Sequence, residues 1–152
     1  MTVAVEIETR IGRPPADVFA ELAALERFPE WLIASGIVRV ERLDGGLLAV
    51  GSRVRIRQTV GGRSTVLEGA ITELEPGRAF GLRGCDPDGV TIEIGAALAA
   101  ENDLATRLRW SLHIGLPLRF RMFESMIAPQ VRRAATLDLE AFKRRIESFA
   151  GG

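Results

Sequence analysis

His113 is the one imidazole in a chain of 152 residues, and Cys85 is the one thiol. A lone histidine invites a general acid/base reading, because its ordinary pKa lies close to neutral pH. Ser111 stands two residues away, on the same face if the stretch is a strand, but without the strand-to-helix elbow that exposes a serine nucleophile. One histidine and one cysteine make neither a multi-thiolate zinc site nor an internal disulfide, so no metal or other cofactor is expected. Cys85 adjoins the turn residues Asp86-Pro87-Asp88-Gly89 and reads as an inert thiol. No residue is assigned a catalytic role on these grounds. What the other polar groups can do depends on which side of a sheet they face.

The chain starts with strict alternation. Val3, Val5, Ile7, Thr9 and Ile11 interleave with Ala4, Glu6, Glu8 and Arg10, the two-residue period of a half-buried strand. Pro15 suits the first turn of a helix and Asp17 favours its positive end, with Val18, Phe19, Leu22 and Leu25 as the apolar face. A second short helix is expected over 28–34, stopping at Ser35-Gly36. At the far end, Phe120, Phe123, Ile127, Val131, Ala135, Leu139, Phe142, Ile146 and Phe149 recur at three- and four-residue spacing. This reads as one long helix over 120–149, kinked or split at Pro129 and ended by Gly151-Gly152.

Register orders the middle. Gly61-Gly62 is a two-residue hairpin signal, since glycine tolerates the positive φ that primed turns require. It sets Gln58 opposite Thr65, Ile56 opposite Leu67 and Val54 opposite Gly69. Directly opposed residues share a face, so Val54, Ile56 and Leu67 point to the core while Arg53, Arg55 and Arg57 point away. Ala79 to Gly84 forms a further strand containing Leu82. A three-residue loop Glu101-Asn102-Asp103 would pair Ala96 with Leu108, Ile94 with Trp110, Ile92 with Leu112 and Val90 with Ile114. Arg107, Arg109, Ser111 and His113 then face outward.

An apolar sheet face must be covered, and only the last helix is long enough to do so. The expected architecture is α+β: a curved antiparallel sheet of about seven strands around a long C-terminal helix, with two short helices after the first strand. The length suits one domain, residues 1–152. Formal net charge is zero, so no whole-molecule field favours nucleic acid or an anionic membrane. No stretch is long and apolar enough to span a membrane and no leader pattern opens the chain, so a cytoplasmic protein is expected.

Three stretches resemble the START-related, polyketide cyclase/dehydrase-like superfamily (SRPBCC), which has the helix-grip fold. They are Ile11-Gly12-Arg13-Pro14-Pro15-Ala16-Asp17-Val18-Phe19 through Phe28-Pro29-Glu30-Trp31, then Val50-Gly51-Ser52-Arg53-Val54, then Ile71 through Phe80. The resemblance implies a cavity between sheet and last helix, open near the short helices and strand-end loops. Its members include enzymes, lipid carriers and binding proteins. Polyketide-processing relatives place Arg, Tyr, Trp or His groups inside, and this chain has no tyrosine.

Two functional readings follow. In the first, a small hydrophobic molecule of lipid, polyketide or aromatic type binds in the cavity, with cyclase/dehydrase-like activity left open. Its lining is expected from Ile56, Leu67, Leu82, Leu108, Trp110 and Leu112 on the sheet, with Met122, Phe123, Met126 and Ile127 as roof. Gln58 and Thr106 are the inward polar groups, which a ligand or water would satisfy. Trp31 either gates the mouth or anchors the second short helix. In the second reading, a non-catalytic interaction module uses the outer arginines, although Glu68 and Glu93 on that face suit simple solvation. A homodimer is compatible with either.

Overall fold

The structure, a computed structural model, describes residues 2–149; the Gly151-Gly152 terminator lies outside the described residues. Strand β1 (Thr2–Ile11) leads into helix α1 (Pro15–Leu22) and a 3-10 helix, Leu25–Glu30. Strands β2 (Ile37–Arg42), β3 (Arg53–Val60), β4 (Arg63–Glu75), β5 (Ala79–Cys85), β6 (Thr91–Asn102) and β7 (Ala105–Gly115) follow. A second 3-10 helix, Leu118–Phe123, runs into α2 (Glu124–Ser148). All seven strands join one antiparallel sheet in the order β1-β7-β6-β5-β4-β3-β2. The long helix lies in its concave face, the helix-grip arrangement.

Alternation produces this sheet. On β3, Val54 and Ile56 are buried while Arg53 and Arg57 are exposed. The Gly61-Gly62 turn has φ of 59° and 78°, and its register sets Gln58 opposite Thr65 and Ile56 opposite Leu67, as the sequence predicts. Bulges interrupt β2 between Ile37 and Arg39, β4 between Ile71 and Glu73, and β6 between Ala100 and Asn102. Each adds local bend and twist, which a sheet needs to curl around a helix.

Three expectations require correction. The β6–β7 pairing is offset by two residues: Ala96 faces Trp110, Ile94 faces Leu112 and Ile92 faces Ile114. The turn is Asp103-Leu104, tightened by the Leu104 N–H donating to Asn102 Oδ1 at 2.8 Å, and the bulge absorbs the extra residue. An even offset keeps every side chain on its face, so the inner and outer assignments survive. The second short helix begins at Leu25 and ends at Glu30, because Pro29 is accommodated in a 3-10 turn while 31–36 forms further turns. The last helix is not one element over 120–149: Leu118–Phe123 is a 3-10 helix, and α2 then continues unbroken through Pro129.

The core is densest at one end. Trp31 meets Phe28 (ring centroids 5.5 Å), Trp110 (5.7 Å) and Phe142 (4.7 Å), while Phe28 also meets Phe80 at 6.3 Å. Each such ring, when buried, contributes about 1.5–3 kcal/mol, and edge contacts add about 0.5–1.5 kcal/mol. The buried residues of α2 are Ala135 near its middle and Asp138, Leu139, Phe142 and Ile146 in its C-terminal half. That half is also tied by charge. Arg145 Nε donates to buried Glu21 of α1 at 2.9 Å, and Glu147 accepts from the Gly12 N–H and from Lys143 Nζ, both at 2.8 Å. The N-terminal half of α2 stands over an opening.

Candidate functional site

A cavity of about 390 Å³ lies between the N-terminal half of α2 and the sheet. That volume falls in the range of small-molecule pockets. Its floor is apolar: Ile37 of β2, Val60 of β3, Ile92 and Ile94 of β6, and Trp110, Leu112 and Ile114 of β7. The roof comes from α2 through Ile127, Val131, Ala134 and Ala135. The exposed lining residues Ala34, Val60 and Gln130 mark the mouth.

One wall is polar. Asp138 is buried on the apolar stripe of α2 and also lines the cavity. Its carboxylate accepts the Ala34 N–H at 2.7 Å and the Ser35 N–H at 3.0 Å. Gln58 Nε2 donates to the Ser35 carbonyl at 2.8 Å, and its amide oxygen has no protein partner among the hydrogen bonds of the described residues. Ser35 is therefore clamped between helix and sheet, and three polar groups converge at one place. Burial pushes the Asp138 carboxyl above its ordinary pKa, against the opposing pull of the Ser35 and Ala34 hydrogen bonds. A carboxyl so placed can hold a proton at higher pH than a surface aspartate, and it faces an apolar chamber.

A smaller pocket of about 130 Å³ adjoins the first, sharing Gln58 and Val60 and extending to Thr65, Asp86, Asp88 and Phe120. A larger depression, about 620 Å³, is an open trough between Arg53, Glu68 and Arg83 where Gly69 and Gly84 leave the sheet bare. It has no enclosing wall. The enclosed cavity under the helix is the better ligand site.

The structure brings Gln58, Trp110, Leu112 and Ile127 together on this cavity. Ile56, Leu67, Leu82 and Leu108 face inward but are buried in the packed core. Trp31 is fully buried behind Trp110, which makes it a packing anchor; its indole N–H has no acceptor among the described residues. Thr106 donates to the Arg13 carbonyl at 2.7 Å and stitches β7 to the β1–α1 connection. Met122, Phe123 and Met126 do not roof the chamber. They are exposed, Met122 at 79% and Met126 at 62%: Met122 and Phe123 lie on the 3-10 helix, and Met126 falls one residue off the α2 stripe that begins at Ile127.

Asp138 was missed, along with Gln130 and Ala134. The signal lay in the helical spacing: Val131, Ala135, Asp138 and Phe142 follow one face, and an acid at a core position is a flag. His113 is exposed on the convex face, opposite Ala4 and Glu93. The outer arginines are mostly neutralised: Arg55 pairs with Glu68 at 3.1 Å, Arg107 with Glu8 at 2.7 Å and Arg109 with Glu6 at 3.4 Å. Among the described residues no group of three or more His, Cys, Asp or Glu side chains is arranged to hold a metal, and no helix is long and apolar enough to cross a membrane.

Comparison with known proteins agrees with this architecture. The sequence profile of the family described as polyketide cyclase / dehydrase and lipid transport matches residues 2–147. The fold is similar to that of the Zhui aromatase/cyclase from a Streptomyces species, with TM-score 0.80 and 17% identity, covering 100% of this chain and 98% of that one. It is also similar to a START superfamily protein from Mycobacterium smegmatis, with TM-score 0.78 and 14% identity over 97% and 99% of the two chains. A third, TTHA0849 from Thermus thermophilus, superposes with TM-score 0.76 at 16% identity, over 97% and 99%. At these identities the likeness is one of fold. No curated protein gives a significant sequence match.

Proposed function

The chain belongs to the polyketide cyclase / dehydrase and lipid transport family, and from that premise we propose that it binds a small, mostly apolar molecule bearing a carbonyl or hydroxyl group. The observation that carries this reading is the chamber of about 390 Å³ with an apolar floor and a single polar wall. An apolar body gains by leaving water for Trp110, Leu112, Ile114 and Ile127. A polar end placed anywhere but beside Gln58, Ser35 and Asp138 would lose its hydrogen bonds, so the wall sets orientation.

The raised carboxyl of Asp138 favours one chemical extension. A protonated Asp138 donates to a ligand carbonyl, and an ionised one accepts a proton from an adjacent carbon or hydroxyl. Confinement would then hold a flexible substrate in one folded shape, as if at high effective concentration. No covalent intermediate is involved.

Native mass spectrometry of the purified protein, followed by displacement of an environment-sensitive dye, tests the binding reading. A co-purified or screened apolar ligand should displace the dye with one-to-one stoichiometry, and Trp110→Ala should weaken it. A protein that binds neither dye nor ligand while remaining folded would exclude this function.

A further inference from the structure

We propose that the mouth of the cavity docks on an anionic lipid bilayer. Large apolar side chains stand exposed around the opening. Ile33 is 67% exposed beside the mouth residue Ala34, Val60 is 56% exposed at the β3–β4 hairpin, and Leu118 is 76% exposed on the second 3-10 helix. Met122, on the same 3-10 helix, and Met126, next in sequence to the cavity-lining Ile127, are 79% and 62% exposed. Large apolar groups gathered at one opening cost nothing only if something apolar covers them.

Charge selects what covers them. The molecule carries no net charge, yet residues 117–133 hold Arg119, Arg121, Arg132 and Arg133 against a single acid, Glu124. Arg119 is tied to Asp88, and Arg132 and Arg133 are exposed on α2. Apolar residues flanked by arginines match a lipid surface, where acyl chains accept the former and anionic headgroups the latter. A second copy joined through the same patch by a two-fold axis would set arginines against arginines.

This inference builds on the cavity reading for its purpose but is tested apart from it. Co-sedimentation with vesicles of phosphatidylcholine and phosphatidylglycerol, compared with phosphatidylcholine alone, measures the docking. Binding is expected to the anionic vesicles, to fall at least tenfold in high salt, and to fall at least tenfold in the double variant Met122→Glu/Met126→Glu. Leu104→Glu, an exposed apolar site at the β6–β7 turn, should bind like the parent, and Leu118→Glu provides a second rim variant should the first fold poorly. No partitioning of the parent protein, or equal partitioning of parent and rim variants, would overturn the proposal. So would a parent dimer that the rim variants dissolve, which assigns the face to a second copy. Dye binding measured in parallel separates the readings: a rim variant that still binds dye has lost docking only.

Discussion

Asp138 of α2 holds the backbone of Ser35 across the top of the cavity, 103 residues apart in sequence, through a 3.0 Å bond from the Ser35 N–H. The neighbouring Ala34 N–H takes the other carboxylate oxygen at 2.7 Å. The helix and the loop that frames the mouth are thus joined by one side chain.

Asp138→Asn keeps the shape but offers a single acceptor for two donors. The loss should be about 1–3 kcal/mol, read from urea unfolding. Its pH dependence has a definite sign. The folded carboxyl pKa is raised by burial, so the contribution of Asp138 is full below the unfolded aspartate pKa and declines as pH rises through the folded value. The advantage of the parent over Asp138→Asn should therefore be larger in acid than at neutral pH. A difference that grows with pH would reverse the assignment.

Gly36 has φ of 77°, and a Cβ there would lie 2.0 Å from the Thr59 carbonyl oxygen. Gly36→Ala should cost at least about 2 kcal/mol and distort the mouth. Gly61 also has positive φ but no atom within 4 Å of such a Cβ, so Gly61→Ala should cost only about 1 kcal/mol. Thermal unfolding of the two variants checks the contrast.

Gln58→Leu should discriminate between ligands. Affinity for a carbonyl- or hydroxyl-bearing ligand should fall about tenfold, while that for a hydrocarbon analogue should hold or rise. His113→Ala, on the convex face, should leave both unchanged. Dye-displacement titrations of the two variants provide the measurement, and loss of affinity in His113→Ala would place the site elsewhere.

Ala134 lines the chamber, so Ala134→Leu adds volume where space exists. Ligand binding should weaken about tenfold with less than about 1.5 kcal/mol change in stability. Met126→Trp, at an exposed position, should leave cavity binding unaltered. The reverse pattern would mean that α2 sits one turn further over the sheet.

Arg145→Leu leaves buried Glu21 with Arg27, at 3.4 Å and largely exposed, as its remaining cation among the described residues. A loss of about 1–3 kcal/mol is expected, discounted from a fully buried pair because Arg145 retains some exposure. Adding Glu21→Leu should recover part of it, since the stranded charge is removed. A double-mutant cycle by urea unfolding measures the coupling.

Local chemistry in the sequence determined much of this protein. The Gly61-Gly62 turn, the parity of Val54, Ile56 and Leu67, and the outward placement of His113 follow from two-residue alternation, which a nearest neighbour suffices to enforce. The long terminal helix follows from its apolar spacing. The partner offset between β6 and β7 was not legible, because two registers differing by two residues bury the same faces and only the bulge at Ala100–Asn102 separates them. The site divides in the same way. Gln58, Trp110, Leu112 and Ile127 were visible as inward residues, but parity alone cannot distinguish a side chain that meets another in the core from one that meets a void. Whether Ile56 packs and Ile114 borders a cavity depends on where the helix lies across the sheet. That placement is decided by Trp31 against Phe142 and by Glu21 against Arg145, contacts between residues more than one hundred positions apart. Met122 and Met126 face outward for a related reason: Met122 sits on a 3-10 turn, which changes the angle per residue, Met126 falls one residue off the α2 stripe, and the face each presents is known only once the helix is docked.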